Sequence, residues 1–168
     1  GMEFGVNHSI TESLTAELRK RTRKILIIKL SPNVTNIQDI AKSAEQGGAD
    51  AVSAINTVVG MTIDIQTKCP NLYTNLGGLS GPAIHPIAVA TVYKIFQSVQ
   101  IPIIGIGGVA SASDIIQLML AGASLVQIGT TNFINCKLGV DVLPELQNYC
   151  VQHNIEDISD IIGKVEVY

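Results

Sequence analysis

The chain has 168 residues, 46% of them hydrophobic and 15% charged, with a formal net charge of −3. That balance suffices for one buried core over residues 1–168, a single domain, and excludes an intrinsically disordered chain. The basic cluster from Arg19 to Lys24 falls where a helix ends, a place where cations complement the backbone dipole, so no nucleic-acid partner is expected.

No apolar run reaches the ~18 residues needed to cross a bilayer, and the N-terminus lacks the charged-then-apolar layout of a signal peptide. A cytoplasmic protein without membrane attachment is expected. Cys69, Cys136 and Cys150 form an odd set without C-x-x-C spacing, which points to reduced thiols and to no metal site. Gly1 ahead of Met2 reads as a residue left by a cleaved tag.

In chain order, Ser9-Ile10-Thr11-Glu12 has capping-box spacing, and Ile10, Leu14 and Leu18 recur at helical intervals. An amphipathic helix over about 10–21 follows, with that stripe on its apolar face. The run KILIIKL, Lys24 to Leu30, is almost wholly apolar, as in a strand covered on both faces of a parallel sheet. Thr35 and Gln38 repeat the capping spacing, Ile37, Ile40, Ala41 and Ala44 form one face, and Gly47 stands as the helix stop.

A second strand is predicted over 50–56, then a long irregular stretch. Pro86 suits a first helical turn, with Ala88, Val92, Ile95 and Val99 on one face. IPIIGIG forms a third strand, Ser111 and Asp114 open a helix that Gly122 closes, and a fourth strand spans about 124–129. Helices over 140–153 and 156–163 complete the chain. The segments from Val34 and from Ala110 share cap, apolar face, glycine stop and strand, an echo that suggests two related βαβ units.

Alternating strands and helices predict an α/β fold with a parallel sheet and right-handed crossovers. Four strands make either a small open sheet or half of an eight-stranded β/α barrel.

The run IIGIGGVA, Ile103 to Ala110, is close to the G-x-G-x-x-A dinucleotide fingerprint. That fingerprint belongs to a first strand and needs an acid at the end of the next one; here it follows the third strand, and the next ends in Gly129-Thr130-Thr131. In a β/α barrel, phosphate is held by the loops after the last two strands, so Gly107, Gly108, Gly129 and Thr130 are candidates for a phosphate grip; tight turns alone are the competing reading.

Lys29 sits one residue from the end of an apolar strand, either extending to the rim or serving an anionic ligand at a barrel mouth. Asn56 and Thr57 end the second strand with an amide and a hydroxyl, suited to a polar ring or carboxylate, or simply to closing the strand. His85 is expected to be exposed by its position, and Cys69 to be a plain loop cysteine, with nothing nearby in sequence to activate it.

Taken together, IIKLSPNV, INTVVGMTIDI, GGLSGPAIHPIA, IPIIGIGGVASASD and AGASLVQIGTTNF resemble the C-terminal half of a dihydroorotate dehydrogenase. The version of these motifs is most similar to the NAD-linked branch, whose flavin subunit pairs with a separate iron–sulfur, FAD-containing electron-transfer subunit.

The resemblance implies a parallel β/α barrel of which this chain supplies about four βα units, half of a TIM barrel. It implies FMN at the C-terminal mouth and oxidation of dihydroorotate to orotate in pyrimidine biosynthesis. It places Lys29 by the flavin's N1/O2 edge, Ile55 and Gly81 against the ring system and ribityl chain, and Gly107, Gly108, Gly129 and Thr130 at the FMN phosphate. Asn56 and Thr57 fall to the substrate.

In that branch the catalytic base is a cysteine in an S-C-P-N segment just upstream of a G-M-x-F-G stretch, and this chain begins at Gly1-Met2-Glu3-Phe4-Gly5. The base is therefore expected upstream of residue 1, with no catalytic residue in the chain. Cys69-Pro70-Asn71 lies in the wrong loop to replace it, and His85 stands where the family more often has lysine.

Very slow turnover is expected of such a chain. A half barrel also leaves two sheet edges bare, so pairing with a second copy is expected. Three readings stand: a dihydroorotate dehydrogenase, a non-catalytic self-associating half-barrel with FMN- or phosphate-binding loops, and a different phosphate-binding β/α-barrel enzyme.

Overall fold

The computed structural model describes residues 4–168. Gly1 and Met2, with the tag reading they carry, and Glu3 lie outside the described residues.

After a 3-10 turn at Phe4–Val6, helix α1 spans His8–Arg21. Its cap is Asn7, whose side chain accepts the Ile10 N–H at 3.1 Å, so the helix begins ahead of the Ser9 expected from spacing. The buried face also differs from the predicted one. Thr11 and Thr15 are buried, whereas Leu14 and Leu18 are each 39% exposed.

Strand β1 (Ile27–Leu30), helix α2 (Ile37–Gln46) and strand β2 (Ala51–Ala54) follow. The α2 cap is Asn36 instead of Thr35: its side chain accepts the Gln38 N–H at 3.1 Å. Ile37, Ile40, Ala41 and Ala44 are buried as predicted.

Gly47 caps the end of α2 as predicted, at φ −69°, and the left-handed residue follows it at Gly48, φ 92°. What Gly47 permits is close approach of α1 and α2. A Cβ there would lie 2.6 Å from Thr15 Cβ and 2.7 Å from the Glu12 carbonyl oxygen. The contact selects small side chains, and the Thr15 hydroxyl donates to the Thr11 carbonyl at 2.6 Å, so the buried polar group is satisfied. Gly47→Ala is expected to cost about 1–3 kcal/mol by overpacking, read as a lowered melting temperature.

Beyond β2 the chain leaves the sheet as two antiparallel ribbons, where sequence suggested irregular structure. They are built from β3 (Val58–Gly60), β4 (Ile63–Asp64), β5 (Cys69–Pro70) and β6 (Gly77–Leu79), with β4–β5 nested inside β3–β6. Strands of two or three residues are too short to show a period. The inner turn is held by Asp64, whose carboxylate accepts the backbone N–H groups of Gln66 and Thr67; those bonds hold its pKa below the ordinary aspartate value.

A 3-10 turn at Pro82–Ile84 leads into α3 (His85–Phe96), then β7 (Ile103–Ile106), α4 (Ala112–Ala121) and β8 (Leu125–Gln127). The face Ala88, Val92, Ile95 and Val99 is buried as predicted. The α4 cap is Ser111, the counterpart of Asn36 in the repeated unit, and Gly122 closes the helix at φ 121°.

The predicted helix over 140–153 is two helices, α5 (Leu138–Asp141) and α6 (Leu143–Gln152), because Pro144 sits in the first turn of α6 and starts a new segment. The predicted helix over 156–163 is only a 3-10 turn, Ile158–Ile161. After it, the Gly163 N–H donates to the Met119 carbonyl, which also accepts from Gly122, and the Val165 N–H donates to the Leu120 carbonyl.

The four main strands are parallel in the order β1-β2-β7-β8. Helix α2 packs across β1 and β2, α3 across β2 and β7, and α4 against β8. This is an α/β fold of β/α-barrel type with four βα units. Each helix buries its apolar stripe in one contiguous core that includes Leu30, Val52, Val92, Ile95, Ile103 and Leu118. Both edges of the sheet carry exposed apolar groups, Ile25 and Ile27 at one side and Leu125, Phe133 and Ile134 at the other. Among the described residues no helix is long and apolar enough to cross a membrane.

Candidate functional site

The parallel strands all end on one side, and the segments that leave them converge there. Lys29 lies within β1, Ile55, Asn56 and Thr57 follow β2, Gly107 and Gly108 follow β7, and Gly129 and Thr130 follow β8. Gly81 joins them from the loop before α3. One cavity of about 140 Å³ is lined by all nine of these predicted residues. A second groove of about 470 Å³ shares Lys29, Asn56 and Thr57 with it and adds Ser31, Asn33 and the ribbon residues Gly77 and Gly78.

The glycines differ in what requires them. Gly81, Gly107 and Gly108 have φ of 87°, 139° and 69°, a region that side chains disfavour. A Cβ on Gly107 would stand 2.7 Å from Ala88 Cβ, and one on Gly108 would stand 2.7 Å from His85 Cβ and 2.8 Å from the Gly81 carbonyl oxygen. The turn is pressed against the start of α3, with no room for a side chain. Gly129 is the opposite case: φ is −105° and a Cβ would meet nothing within 4 Å. Packing does not demand glycine at that point of the cavity.

Among the described residues, the N–H groups of Gly108, Val109, Thr130 and Thr131 have no hydrogen-bond partner. Unpaired amides in two glycine turns facing one cavity form a ready acceptor site for an anion. Lys29 is exposed and makes no ion pair among the described residues. The cavity therefore combines a free cation with uncommitted donors.

Several residues at the site were not singled out in the sequence. The Thr130 hydroxyl donates to Ser80 Oγ at 2.8 Å, and the Thr131 hydroxyl donates to the Val109 carbonyl at 2.6 Å, tying the turns together across strands. Ser80 and Thr131 each adjoin a residue that was chosen, and adjacency was the only signal they carried. His85 was expected to be exposed and is 7% exposed. The first turn of α3 lies beneath the Gly107–Gly108 turn, which covers the imidazole. Cys69 is exposed on the inner ribbon and lines neither cavity.

Asn33, in the loop after β1, holds the second groove together. Its amide donates to the Thr57 carbonyl and its oxygen accepts the Val59 N–H, each at 3.0 Å. Among the described residues, neither cavity is lined by a carboxylate, imidazole or thiol.

Residues 1–149 match the family model for dihydroorotate dehydrogenase. The catalytic subunit of dihydroorotate dehydrogenase B (NAD(+)) from Alkaliphilus oremlandii (strain OhILAs) is 51% identical over 165 residues, covering 98% of this chain and 55% of its own length. The corresponding subunit of Thermoanaerobacter sp. (strain X514) is 48% identical over 167 residues, covering 99% and 55%. The crystal structure of Eimeria tenella DHODH in complex with ferulenol aligns with a TM-score of 0.74 at 26% identity, over 94% of this chain and 47% of that one. The chain spans about half the length of the curated relatives it matches. With the family model covering most of the sequence and close relatives along nearly all of it, this chain belongs to the dihydroorotate dehydrogenase family.

Proposed function

We propose that residues 1–168 form a single domain that is the FMN-binding half of a dihydroorotate dehydrogenase, acting in cytoplasmic pyrimidine biosynthesis. The observation that carries this reading is one cavity at the strand ends that all nine expected residues line, supplied with unpaired amides and a lysine. Its 140 Å³ is below the roughly 300–1,000 Å³ of drug-sized ligand sites, so it suits a phosphate end, and the 470 Å³ groove has room for the rest.

Bound there, FMN would supply the hydride acceptor for the oxidation of dihydroorotate to orotate. Gly107, Gly108, Gly129 and Thr130 would hold the phosphate through backbone N–H groups and a hydroxyl. The absence of a side chain at Gly129 leaves room beside that group. Ile55 and Gly81 would pack against the cofactor where it leaves the 140 Å³ cavity that they line. Lys29 would supply the cation that offsets negative charge gained on reduction, and Asn56 and Thr57 would orient the substrate's carboxylate and ring polar groups.

Removing the C5 proton of dihydroorotate needs a base within hydrogen-bond reach, and among the described residues the lining of both cavities offers none. We therefore expect residues 1–168 alone to turn over very slowly. The relatives are named catalytic subunits, and we extend to this chain an electron-transfer partner of iron–sulfur, FAD type.

The exposed edges favour a second, compatible reading, in which two copies of the half-barrel associate through the bare sides of the sheet. A monomer in light scattering that also melts cooperatively would rule out obligate pairing. The test of function is an absorbance scan. The purified chain, or the chain after adding FMN, is expected to show a protein-bound flavin band, with little bleaching by dihydroorotate. A chain that binds sugar phosphates but not FMN would belong to a different phosphate-binding chemistry and would refute the assignment.

A further inference from the structure

His85 is the buried titratable side chain that the proposed function leaves unused. Its Nδ1 lies 2.9 Å from the Gly107 carbonyl oxygen, and its Nε2 faces Asp114 Oδ1 at 3.5 Å without hydrogen-bond geometry. A carbonyl oxygen only accepts, so Nδ1 carries the proton in this contact and the tautomer is settled by its partner.

The consequence lies on the other side of the same peptide. The Gly107–Gly108 bond is trans, so its carbonyl and the following N–H point in opposite directions. Holding the Gly107 carbonyl toward His85, inside the protein, turns the Gly108 N–H the other way, and Gly108 lines the cavity with that N–H unpaired among the described residues.

Asp114 secures the next part of the turn. Its Oδ2 accepts the Ala110 N–H and the Ser111 hydroxyl, each at 2.9 Å. The turn is thus held at Gly107 from α3 and at Ala110 from α4. In between lie the unpaired N–H groups of Gly108 and Val109.

We propose that His85 is a positioning residue for the phosphate of the bound ligand: by anchoring the Gly107 carbonyl it aims the Gly108 amide into the cavity. This rests on the FMN reading above. It makes the effect of His85 specific to the phosphate end, because among the described residues the Gly107 carbonyl is the cavity-lining group to which the imidazole hydrogen-bonds.

Titrating the full chain with FMN and with riboflavin, which lacks the phosphate, tests it by flavin fluorescence. Wild type is expected to prefer FMN. His85→Phe keeps a ring and removes the donor, and is expected to lose about tenfold in FMN affinity while riboflavin affinity stays unchanged. His85→Gln keeps a donor and is expected to recover most of the loss.

If His85→Phe is unfolded at the assay temperature, His85→Gln against His85→Met makes the same comparison. Equal losses for both flavins, or no loss for FMN, would overturn the positioning role. A wild-type chain that binds neither flavin, or both equally, would instead overturn the FMN-phosphate assignment on which it rests.

Discussion

Gly108→Ala is expected to lower FMN affinity by a hundredfold or more while leaving a folded chain. The left-handed conformation costs a non-glycine residue about 1–2 kcal/mol. The added methyl has no space, since His85 Cβ and the Gly81 carbonyl oxygen stand 2.7 and 2.8 Å from its position. Overpacking of that kind costs about 1–3 kcal/mol if the turn stays in place.

The turn is at the end of a strand and faces a cavity, so it relieves the clash by moving outward. Two amides, those of Gly108 and Val109, then lose their aim. A hydrogen bond to a charged group contributes about 1.5–3 kcal/mol, so losing two accounts for the hundredfold. Flavin fluorescence titration measures the affinity, and a thermal melt in the absence of flavin measures the fold. FMN affinity within about threefold of wild type would remove this turn from the ligand site.

Leu118→Ala is expected to do the reverse, striking the fold and sparing the ligand. Leu118 is fully buried on α4 and packs under Gly105 of β7, where a Cβ would come within 3.3 Å of its own Cβ. Removing the isobutyl group leaves a cavity bounded by the sheet and costs about 2–5 kcal/mol. For a chain of this size that corresponds to a melting temperature lower by roughly 4–20 °C. Well below the melt, FMN affinity is expected to stay within about threefold, because the phosphate turn keeps its anchors at His85 and Asp114. A change in stability under about 1 kcal/mol would mean that α4 closes over the space.

Much of the site was legible because strand ends are legible. Lys29, Asn56, Gly107 and Gly129 each sit at the end of an apolar run, and parallel strands in a β/α fold deliver their C-terminal ends to one side. Placing those four residues together required only the strand assignments and the handedness of the connections. Ser80, Thr131 and His85 carried no comparable signal. Ser80 and Thr131 matter through hydrogen bonds that cross from one loop to another, and His85 matters because a turn more than twenty residues away in sequence covers it.

The alternation of strands and helices and the buried faces of α2 and α3 were legible from periodicity alone, because a periodic apolar stripe is a local property that any α/β packing will bury. Periodicity did not determine the face of α1. There the Ile10, Leu14 and Leu18 stripe lost to Thr11 and Thr15, since the contact with Gly47 of the neighbouring helix admits only small side chains at close approach. The two ribbons, the burial of His85 and the cavity itself were likewise decided by tertiary structure. Each depends on which distant segment comes to lie beside it, and neither the periodicity of a strand nor the spacing of a cap records that.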